Sequence, residues 1–299
     1  MGIEREPATG RARIAAFVRL ARPQQWVKNG FVLMGLLFGH AFGAPGMVVA
    51  ALTATAAFCL MSSAVYAMND YFDRRRDREH PEKRNRPLAS GEIGAGEAIA
   101  FGLLLATAAL MLGAIAGTMV VVILTAYGVL NLGYSLGLKR VPVVDVFIIA
   151  AGFMLRILAG TLGIGIEPSK WLLLCGFLVT LFLGFAKRRA ELSRLEEGAG
   201  RHRPVLDAYS ESFLDAMVLI CAAGMLLAYG LYTVSTATVA VHGTDLVLTL
   251  PFVLFGAFRY LYRLRHSGGG GDPSAELLRD PWLLGAATGW LATVILLIG

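Results

Sequence analysis

The 299-residue sequence has few charged residues for its length. Asp, Glu, Lys and Arg make up 16% of the chain, whereas 56% of the residues are hydrophobic and the mean hydropathy is positive. This composition excludes an ordinary soluble domain, in which about 25% of the residues are charged. The sequence also lacks the alternating ten-residue segments that are typical of membrane β-barrels. It therefore predicts an all-α, polytopic membrane protein.

Cysteine and histidine are also scarce, with three and five residues. The cysteines all lie inside apolar runs, where we expect small packed side chains without a disulfide framework. The histidines lack the spacing of metal ligands. Four consecutive glycines, Gly268 to Gly271, follow no strand, which excludes a dinucleotide-binding loop. Neither a disulfide scaffold nor a histidine metal site is therefore predicted.

Nine apolar segments are long enough, or nearly so, to cross a membrane as helices. They lie at about 24–43, 47–68, 97–116, 118–136, 143–163, 170–187, 212–236, 246–262 and 281–298. Residues 1–22 are a basic N-terminal segment, and residues 23–299 are predicted to form a single transmembrane domain. The sequence thus predicts a bundle of nine transmembrane helices.

The positions of Lys and Arg predict how these helices are oriented. The N-terminal segment, every second connection and the adjoining helix ends contain all of these residues except Lys170 and Arg156. By the positive-inside rule these regions are cytoplasmic, so we expect a cytoplasmic N-terminus and an external C-terminus in the inner (plasma) membrane. The net charge of +6 follows from this rule and favours anionic lipids or substrates. No nucleic-acid partner is predicted, and the oligomeric state stays open, a homo-oligomer included.

The most unusual stretch follows the second apolar segment and contains three aspartates. Asp70, Asp73 and Asp77 lie at i, i+3 and i+7, so a continuing helix places their carboxylates on one face. Neighbouring carboxylates repel each other, and a divalent cation such as Mg²⁺ or Mn²⁺ would relieve the repulsion. We therefore predict a Mg²⁺–diphosphate site with these three candidate catalytic residues. The alternative is a solvated helix end, in which Asp70 pairs with Arg74.

Other polar residues collect at the predicted cytoplasmic helix ends. Arg156 stands out because an arginine within a membrane helix costs about 3 kcal/mol or more. We expect its partner to be either Asp145, three turns away, or a bound phosphate. We predict that these groups converge into one cavity that faces the cytoplasm. The candidate phosphate-binding cations are Lys28, Lys139, Arg156, Lys187 and Arg188. As an alternative, Lys28, Lys139 and Arg140 only set the topology.

The acidic stretch resembles the first acidic motif of the UbiA-type prenyltransferase superfamily. The matching pattern is Asn69-Asp70-x-x-Asp73-x-x-x-Asp77. The resemblance implies nine helices around a central cavity, with Mg²⁺ and a diphosphate at its cytoplasmic mouth. Superfamily members carry a second Asp-rich motif after helix six, where this chain has the basic Lys187-Arg188-Arg189-Ala190-Glu191. One acidic and one basic cluster suit a metal-bound diphosphate and a separately bound phosphate.

Further segments between about residues 20 and 210 together resemble the decaprenyl-phosphate phosphoribosyltransferase branch. They are Arg22-Pro23-x-Gln25-Trp26-Val27-Lys28-Asn29, Asp77-Arg78-Glu79-His80-Pro81-x-Lys83-Arg84-x-Arg86-Pro87, Tyr134-Ser135-x-Gly137-Leu138-Lys139, Pro168-Ser169-Lys170-Trp171 and Lys187-Arg188-x-Ala190-Glu191-Leu192. This resemblance implies phosphoribosyl pyrophosphate as donor, a long polyprenyl phosphate as acceptor, and a product used for cell-wall arabinan. It adds Asn69, Lys83, Arg86, Tyr134 and Glu191 to the candidate substrate-binding residues.

The resulting hypothesis is a metal-dependent transfer of 5-phosphoribose. Mg²⁺, or Mn²⁺, would be held by Asp73 and Asp77 with either Asn69 or Asp70, and would bind the pyrophosphate of the donor. The acceptor phosphate is already anionic, so it attacks without a general base and inverts the configuration at C1.

Three alternatives stay open at this stage. The first is prenyl transfer from a prenyl diphosphate to an aromatic acceptor by a member of the same superfamily. The second is a transporter or channel, which would place polar residues in both leaflets. The third is a structural membrane scaffold, which gives no reason for three aspartates on one helix face.

Overall fold

A computed structural model of the protein describes residues 10–39, 41–81, 83–196, 204–266, 276 and 278–298. These residues are predominantly helical, and none of them lies in a β-strand. The α-helices are α1 (Gly10–Ala21), α2 (Met34–Phe38), α3 (Pro45–Glu79), α4 (Ala95–Ala116), α5 (Thr118–Leu136), α6 (Val144–Ala159), α7 (Lys170–Glu196), α8 (Glu211–Val234), α9 (Thr236–His242), α10 (Leu250–His266) and α11 (Pro281–Ile298). The prediction of an all-α chain is confirmed.

Short 3₁₀ helices occur between several of the α-helices. They are Pro23–Leu33, Ala41–Gly43, Lys83–Asn85, Leu138–Arg140, Leu162–Ile164, Pro204–Ala208 and Val247–Thr249. The first of them, Pro23–Leu33, has 11 residues, which is unusual because most 3₁₀ runs end after three or four.

Eight helices in the described part of the chain are long and apolar enough to cross a membrane. They correspond to the last eight of the nine predicted segments. Their apolar side chains favour a lipid environment, and their backbone groups are hydrogen-bonded within each helix. The protein is therefore a multi-pass membrane protein. The orientation of its termini and the inner membrane as its location stay predictions.

The first predicted segment is not one continuous α-helix but the 3₁₀ helix Pro23–Leu33 followed by α2. Two glycines explain the close packing here: a Cβ atom on Gly35 would overlap the backbone of Gly160, and one on Gly160 would overlap Val32. A 3₁₀ helix rises about 2 Å per residue, so a straight run to Phe38 would extend about 30 Å. That is close to the thickness of the hydrocarbon core. Whether this first segment crosses the membrane as a ninth span stays a prediction.

The chain divides into two compact units. The first unit is Met1–Lys139 with Gly152–Ser169, and the second is Arg140–Ala151 with Lys170–Gly299. Helix α6 contributes residues to both, because the boundary falls between Ala151 and Gly152. The prediction of a single transmembrane domain stays a prediction, as does the central cavity.

In the first unit α3 is the central helix. It packs against α4, α5, α1 and the 3₁₀ helix Pro23–Leu33. Phe58 of α3 and Tyr127 of α5 meet edge to face in the core, with ring centroids 5.4 Å apart. At 35 residues, α3 is about 52 Å long, which exceeds the hydrocarbon core of about 30 Å. Its last turns hold the three aspartates, so the prediction that the helix continues through them is confirmed.

In the second unit α7 packs against α8, and α10 packs against α11 and α8. The core of this unit includes Phe182 and Phe185 of α7, Leu214 of α8 and Tyr260 of α10. The basic residues Lys187, Arg188 and Arg189 follow the two phenylalanines on the same helix.

Candidate functional site

Two of the three aspartates on α3 share an arginine in the first unit. Arg86 donates from the same Nη1 to Asp70 Oδ1 at 3.1 Å and to Asp77 Oδ2 at 2.8 Å. Arg22 also donates to Asp70 Oδ1, at 2.5 Å. These guanidinium groups relieve the repulsion that the spacing of the carboxylates predicts.

The third aspartate has a different cation. Lys139 Nζ lies 2.7 and 2.8 Å from the two carboxylate oxygens of Asp73. The preceding helix α5 also contacts this face, where Ser135 Oγ donates to Asn69 Oδ1 at 3.2 Å. The end of α5 and the turn after it therefore bring Lys139 to the acidic face of α3.

The solvated helix end is not what the structure shows. Asp70 and Asp77 are buried, and Asp70 pairs with Arg22 and Arg86. Arg74 instead donates to the carbonyl of Tyr71 at 2.6 Å and stacks on its ring. The acidic face is therefore an ordered set of pairs within the first unit.

The donor set on this face suits a metal that binds together with a phosphorylated ligand. Within the described part of the chain, no group of three or more acidic, His or Cys side chains is arranged to hold a metal alone. Asn69, Asp73 and Asp77 provide hard oxygen donors, and the Asp73 side chain is 22% exposed. Mg²⁺ commonly takes one or two carboxylates, several waters and substrate phosphate oxygens. These residues fit that kind of site.

Arg156 of α6 is buried in the first unit and hydrogen-bonded only to uncharged groups in the contacts that the structure describes. It donates to Asn29 Oδ1 at 2.8 Å, to the Gly152 carbonyl at 2.8 Å and to the Tyr127 hydroxyl at 3.0 Å. Its charge also lies 4.7 Å from the ring centroid of Tyr127 and 5.4 Å from that of Phe153. Cation–π contacts of this kind partly compensate for the lost hydration.

The prediction that Asp145 is the partner of Arg156 is wrong. Eleven residues along one helix correspond to about 16 Å, which is too far for an ion pair. Asp145 pairs instead with Arg188 of α7, whose Nε lies 2.6 Å from Asp145 Oδ2. The other expectation for Arg156, a bound phosphate, stays a prediction.

In the second unit Asp145 is the centre of a buried network. Arg188 is 1% exposed and also donates to Glu191 Oε2 at 2.8 Å. The Tyr209 hydroxyl donates to Asp145 Oδ1 at 2.7 Å and accepts from the Val143 N–H at 2.5 Å. Burial raises the pKa of Tyr209, and the Asp145 carboxylate raises it further. Tyr209 therefore stays a neutral hydrogen-bond donor.

The Val143 backbone in this network adopts a left-handed conformation, with φ of 69°. A β-branched residue rarely adopts it, and it costs of order 1–3 kcal/mol. The Tyr209 hydroxyl holds this turn at the start of α6. Neither Tyr209 nor the strained turn at Val143 lies in a sequence motif from which this network could have been predicted.

The remaining candidates lie on different elements. They are Lys28 on the 3₁₀ helix Pro23–Leu33, Lys83 on the 3₁₀ helix Lys83–Asn85, Tyr134 on α5, and Lys187 and Glu191 on α7. All five are partly buried. The first unit thus brings Asn69, the three aspartates, Arg86 and Lys139 together, whereas Lys187, Arg188 and Glu191 belong to the second unit.

Sequence reasoning missed Arg22 as a member of the acidic face. It lies 48 residues before Asp70 and has a left-handed backbone, with φ of 53°. The available signal was its position immediately before Pro23, because the residue that precedes a proline is restricted and marks a turn.

Comparison with known proteins identifies the family of this chain. Residues 30–278 match the sequence profile of the UbiA prenyltransferase family. The chain belongs to the UbiA prenyltransferase family. The UbiA resemblance of the acidic motif is thereby confirmed.

This UbiA-family chain is similar over nearly its whole length to proteins named decaprenyl-phosphate phosphoribosyltransferase. The Corynebacterium glutamicum protein is 32% identical, and the match covers 94% of this chain and 86% of that protein. The Mycobacterium tuberculosis protein is 32% identical, with 94% and 93% covered. These matches confirm the resemblance to the decaprenyl-phosphate phosphoribosyltransferase branch that the motifs between residues 20 and 210 indicate.

The fold has solved UbiA neighbours. A UbiA homolog from Archaeoglobus fulgidus, solved with DMAPP and Mg²⁺ bound, matches with a TM-score of 0.68 and 18% identity. The match covers 94% of this chain and 98% of that one. At this identity the likeness shows the UbiA fold and no more.

Proposed function

We propose that this UbiA-family chain transfers 5-phosphoribose from phosphoribosyl pyrophosphate to a polyprenyl phosphate such as decaprenyl phosphate, and releases diphosphate. The product would serve the synthesis of cell-wall arabinan. Identity of about a third with decaprenyl-phosphate phosphoribosyltransferases over most of both chains supports the substrates. The observation that carries the proposal in the structure is the face of α3, where carboxylates and cations alternate within hydrogen-bonding distance.

Such a face suits a diphosphate that arrives with a divalent cation. Asn69, Asp73 and Asp77 would hold Mg²⁺, and the Archaeoglobus fulgidus UbiA homolog was solved with that ion. When bound, the ion would neutralise the charge that develops on the leaving diphosphate. Lys139 and Arg86 lie beside the same carboxylates. They would bind phosphate oxygens through charge-assisted hydrogen bonds.

The reaction exchanges one C–O bond for another at C1 of the ribose. The bond from C1 to the diphosphate oxygen breaks, and a bond forms from C1 to an oxygen of the acceptor phosphate. The transition state is oxocarbenium-like, and attack from the opposite face inverts the configuration. The acceptor phosphate is anionic at neutral pH, so the chain needs to supply cations and orientation but no general base.

Arg156 is proposed to recognise a phosphate group of the substrates. It is a cation at 5% exposure with neutral hydrogen-bond acceptors and no carboxylate pair among the described residues. A buried charge of this kind is expensive without an anion. We keep Lys28, Lys83, Tyr134, Lys187, Arg188 and Glu191 as further proposed substrate contacts.

Prenyl transfer to an aromatic acceptor is the second candidate function. The match to the UbiA prenyltransferase family favours it, because that family is named for prenyl transfer. The segment Lys187-Arg188-Arg189-Ala190-Glu191 argues against it. There a basic cluster takes the place of the second Asp-rich motif, and two acidic motifs together would suit two or more metals on a prenyl diphosphate.

The deciding experiment is an assay of the purified protein in lipid nanodiscs. Labelled phosphoribosyl pyrophosphate and polyprenyl phosphate should give a labelled lipid with Mg²⁺ and none with EDTA. A parallel reaction with a prenyl diphosphate and an aromatic acid should give no product. Faster turnover in that parallel reaction would show that the substrate assignment is wrong.

A further inference from the structure

We propose that Asp70 does not hold the metal but positions Arg22 and Arg86, and that these two arginines bind the diphosphate group of the substrate. This inference rests on the proposed function and concerns the same site. It assigns Arg22, which the acidic motif does not include, to the binding of the donor.

The first step of the argument is the burial of Asp70. This residue is 2% exposed, and its Oδ1 accepts from both Arg22 and Arg86. Asp73 on the same face has a side chain that is 22% exposed. A ligand can therefore reach Asp73 directly. Asp77 is also buried, but it pairs with one arginine through Oδ2, whereas Asp70 Oδ1 accepts from two guanidinium groups.

The second step is the accessibility of the two arginines. The side chains of Arg22 and Arg86 are 19% and 28% exposed, so neither is fully enclosed by its pair with Asp70. Arginine is suited to phosphate because its planar donors can make two parallel hydrogen bonds.

The third step is the way Arg22 is held. Its backbone is left-handed at φ of 53°, directly before Pro23. Its guanidinium carbon lies 5.1 Å from the ring centroid of Tyr66, one α3 turn before Asp70. A non-glycine residue in this conformation is uncommon and often marks a functional constraint. The turn before Pro23 and the Tyr66 ring hold the Arg22 side chain against the acidic face.

The fourth step selects the diphosphate among the phosphate groups of the two substrates. Arg86 Nη1 donates to Asp77 as well as to Asp70. Asp77 is one of the residues proposed to hold the metal, and the metal accompanies the diphosphate. The arginine pair therefore lies beside the group that leaves in the reaction.

The test is the binding of inorganic pyrophosphate to the purified protein at fixed Mg²⁺, measured by titration calorimetry. Asp70→Asn and Arg22→Gln should each weaken binding by about tenfold, the usual scale for a lost charged hydrogen bond. Because Asp70 acts through Arg22 and Arg86, addition of Asp70→Asn to the Arg22→Gln/Arg86→Gln double variant should weaken binding further by less than about threefold. Arg84→Gln, at an exposed arginine between Lys83 and Arg86, is the matched control and should bind like the wild type.

A second measurement separates positioning from metal binding. Asp70→Asn should leave the Mg²⁺ concentration for half-maximal turnover unchanged and raise the KM for phosphoribosyl pyrophosphate, whereas Asp73→Asn should raise the Mg²⁺ requirement. Arg22→Lys keeps the charge and should restore part of the pyrophosphate affinity, which a purely structural role would not predict. Thermal unfolding of each variant reports its folding.

Three results would overturn the inference. The first is wild-type pyrophosphate affinity in Arg22→Gln. The second is a Mg²⁺ requirement raised as much by Asp70→Asn as by Asp73→Asn. The third is a loss of affinity for ribose 5-phosphate or polyprenyl phosphate instead of pyrophosphate, which would place the arginines at another phosphate. If the variants change pyrophosphate binding as expected but the wild type makes no ribosylated lipid, only the proposed function fails.

Discussion

Two clusters of charged side chains, one in each unit of this UbiA-family chain, differ in their exposure. In the second unit Asp145 and Arg188 are both at most 1% exposed, and Tyr209 completes the shell of the carboxylate. In the first unit the cations beside Asp70, Asp73 and Asp77 stay partly exposed. Breaking a buried pair is costly. A half-exposed pair can exchange its partner for a ligand, so we assign the acidic face of α3 to the binding of the metal and the diphosphate, and Asp145 with Tyr209 to the architecture.

The largest expected effect tests the ligand-binding side of this comparison. Removal of divalent cations with EDTA should abolish turnover, because the carboxylates of α3 cannot bind an anionic diphosphate alone. Excess Mg²⁺ should restore it, as measured by labelled lipid product. Full activity after exhaustive chelation would show that the α3 face acts without a metal.

Substitution of the most accessible aspartate should have the next largest effect. Asp73→Asn removes a charge that faces Lys139 and the proposed metal, and turnover should fall by about 100-fold or more. Folding should change little, since Asp73 is only partly buried. Asp245→Asn, at an exposed aspartate before the 3₁₀ helix Val247–Thr249, is the control. Near-normal turnover of Asp73→Asn would contradict its role at the metal.

Asp145→Asn tests the architectural side. It removes the carboxylate that lies 2.6 Å from the buried Arg188, while the pair of Arg188 with Glu191 stays in place. Loss of one partner of a buried pair costs about 3–5 kcal/mol, so the thermal midpoint of the detergent-solubilised protein should drop strongly. An unchanged midpoint would show that the network is not needed for folding.

Tyr209→Phe should give the smallest of these effects. The change removes one hydrogen bond to Asp145 and leaves the Val143 N–H without its acceptor. Unsatisfied buried groups cost about 1–3 kcal/mol, so the thermal midpoint should fall less than in Asp145→Asn. The double variant should be less destabilised than the sum of the two single variants, because both changes act on one network.

Much of the α3 site was predictable from local sequence. The apolar run before Asn69 and the spacing of the aspartates predict one helix with an acidic face, and α3 runs unbroken to Glu79. The cations were predictable as a class, since acidic residues near membrane depth need partners. The identity of each partner was not predictable, because every nearby lysine and arginine carries the same charge.

The errors have a common physical origin. Asp145 was matched to Arg156 on its own helix, but its partner Arg188 is 43 residues away on α7. The first apolar segment has the composition of one membrane α-helix, but it forms a 3₁₀ helix followed by the short helix α2. Gly35 of α2 packs against the backbone of Gly160, which is distant in the chain. Each outcome depends on a neighbour that is distant in the chain.

The amino-acid sequence by itself determined the membrane-embedded helical class and the acidic helix. Transfer of a segment into lipid depends on its own composition, and the alignment of carboxylates depends on the helical period. Only the tertiary structure decided that Arg22 and Arg86 both pair with Asp70, that Lys139 pairs with Asp73, and that Arg156 donates to Asn29, Gly152 and Tyr127. These pairings arise from helix packing, which brings together residues whose order in the chain carries no sign of their contact.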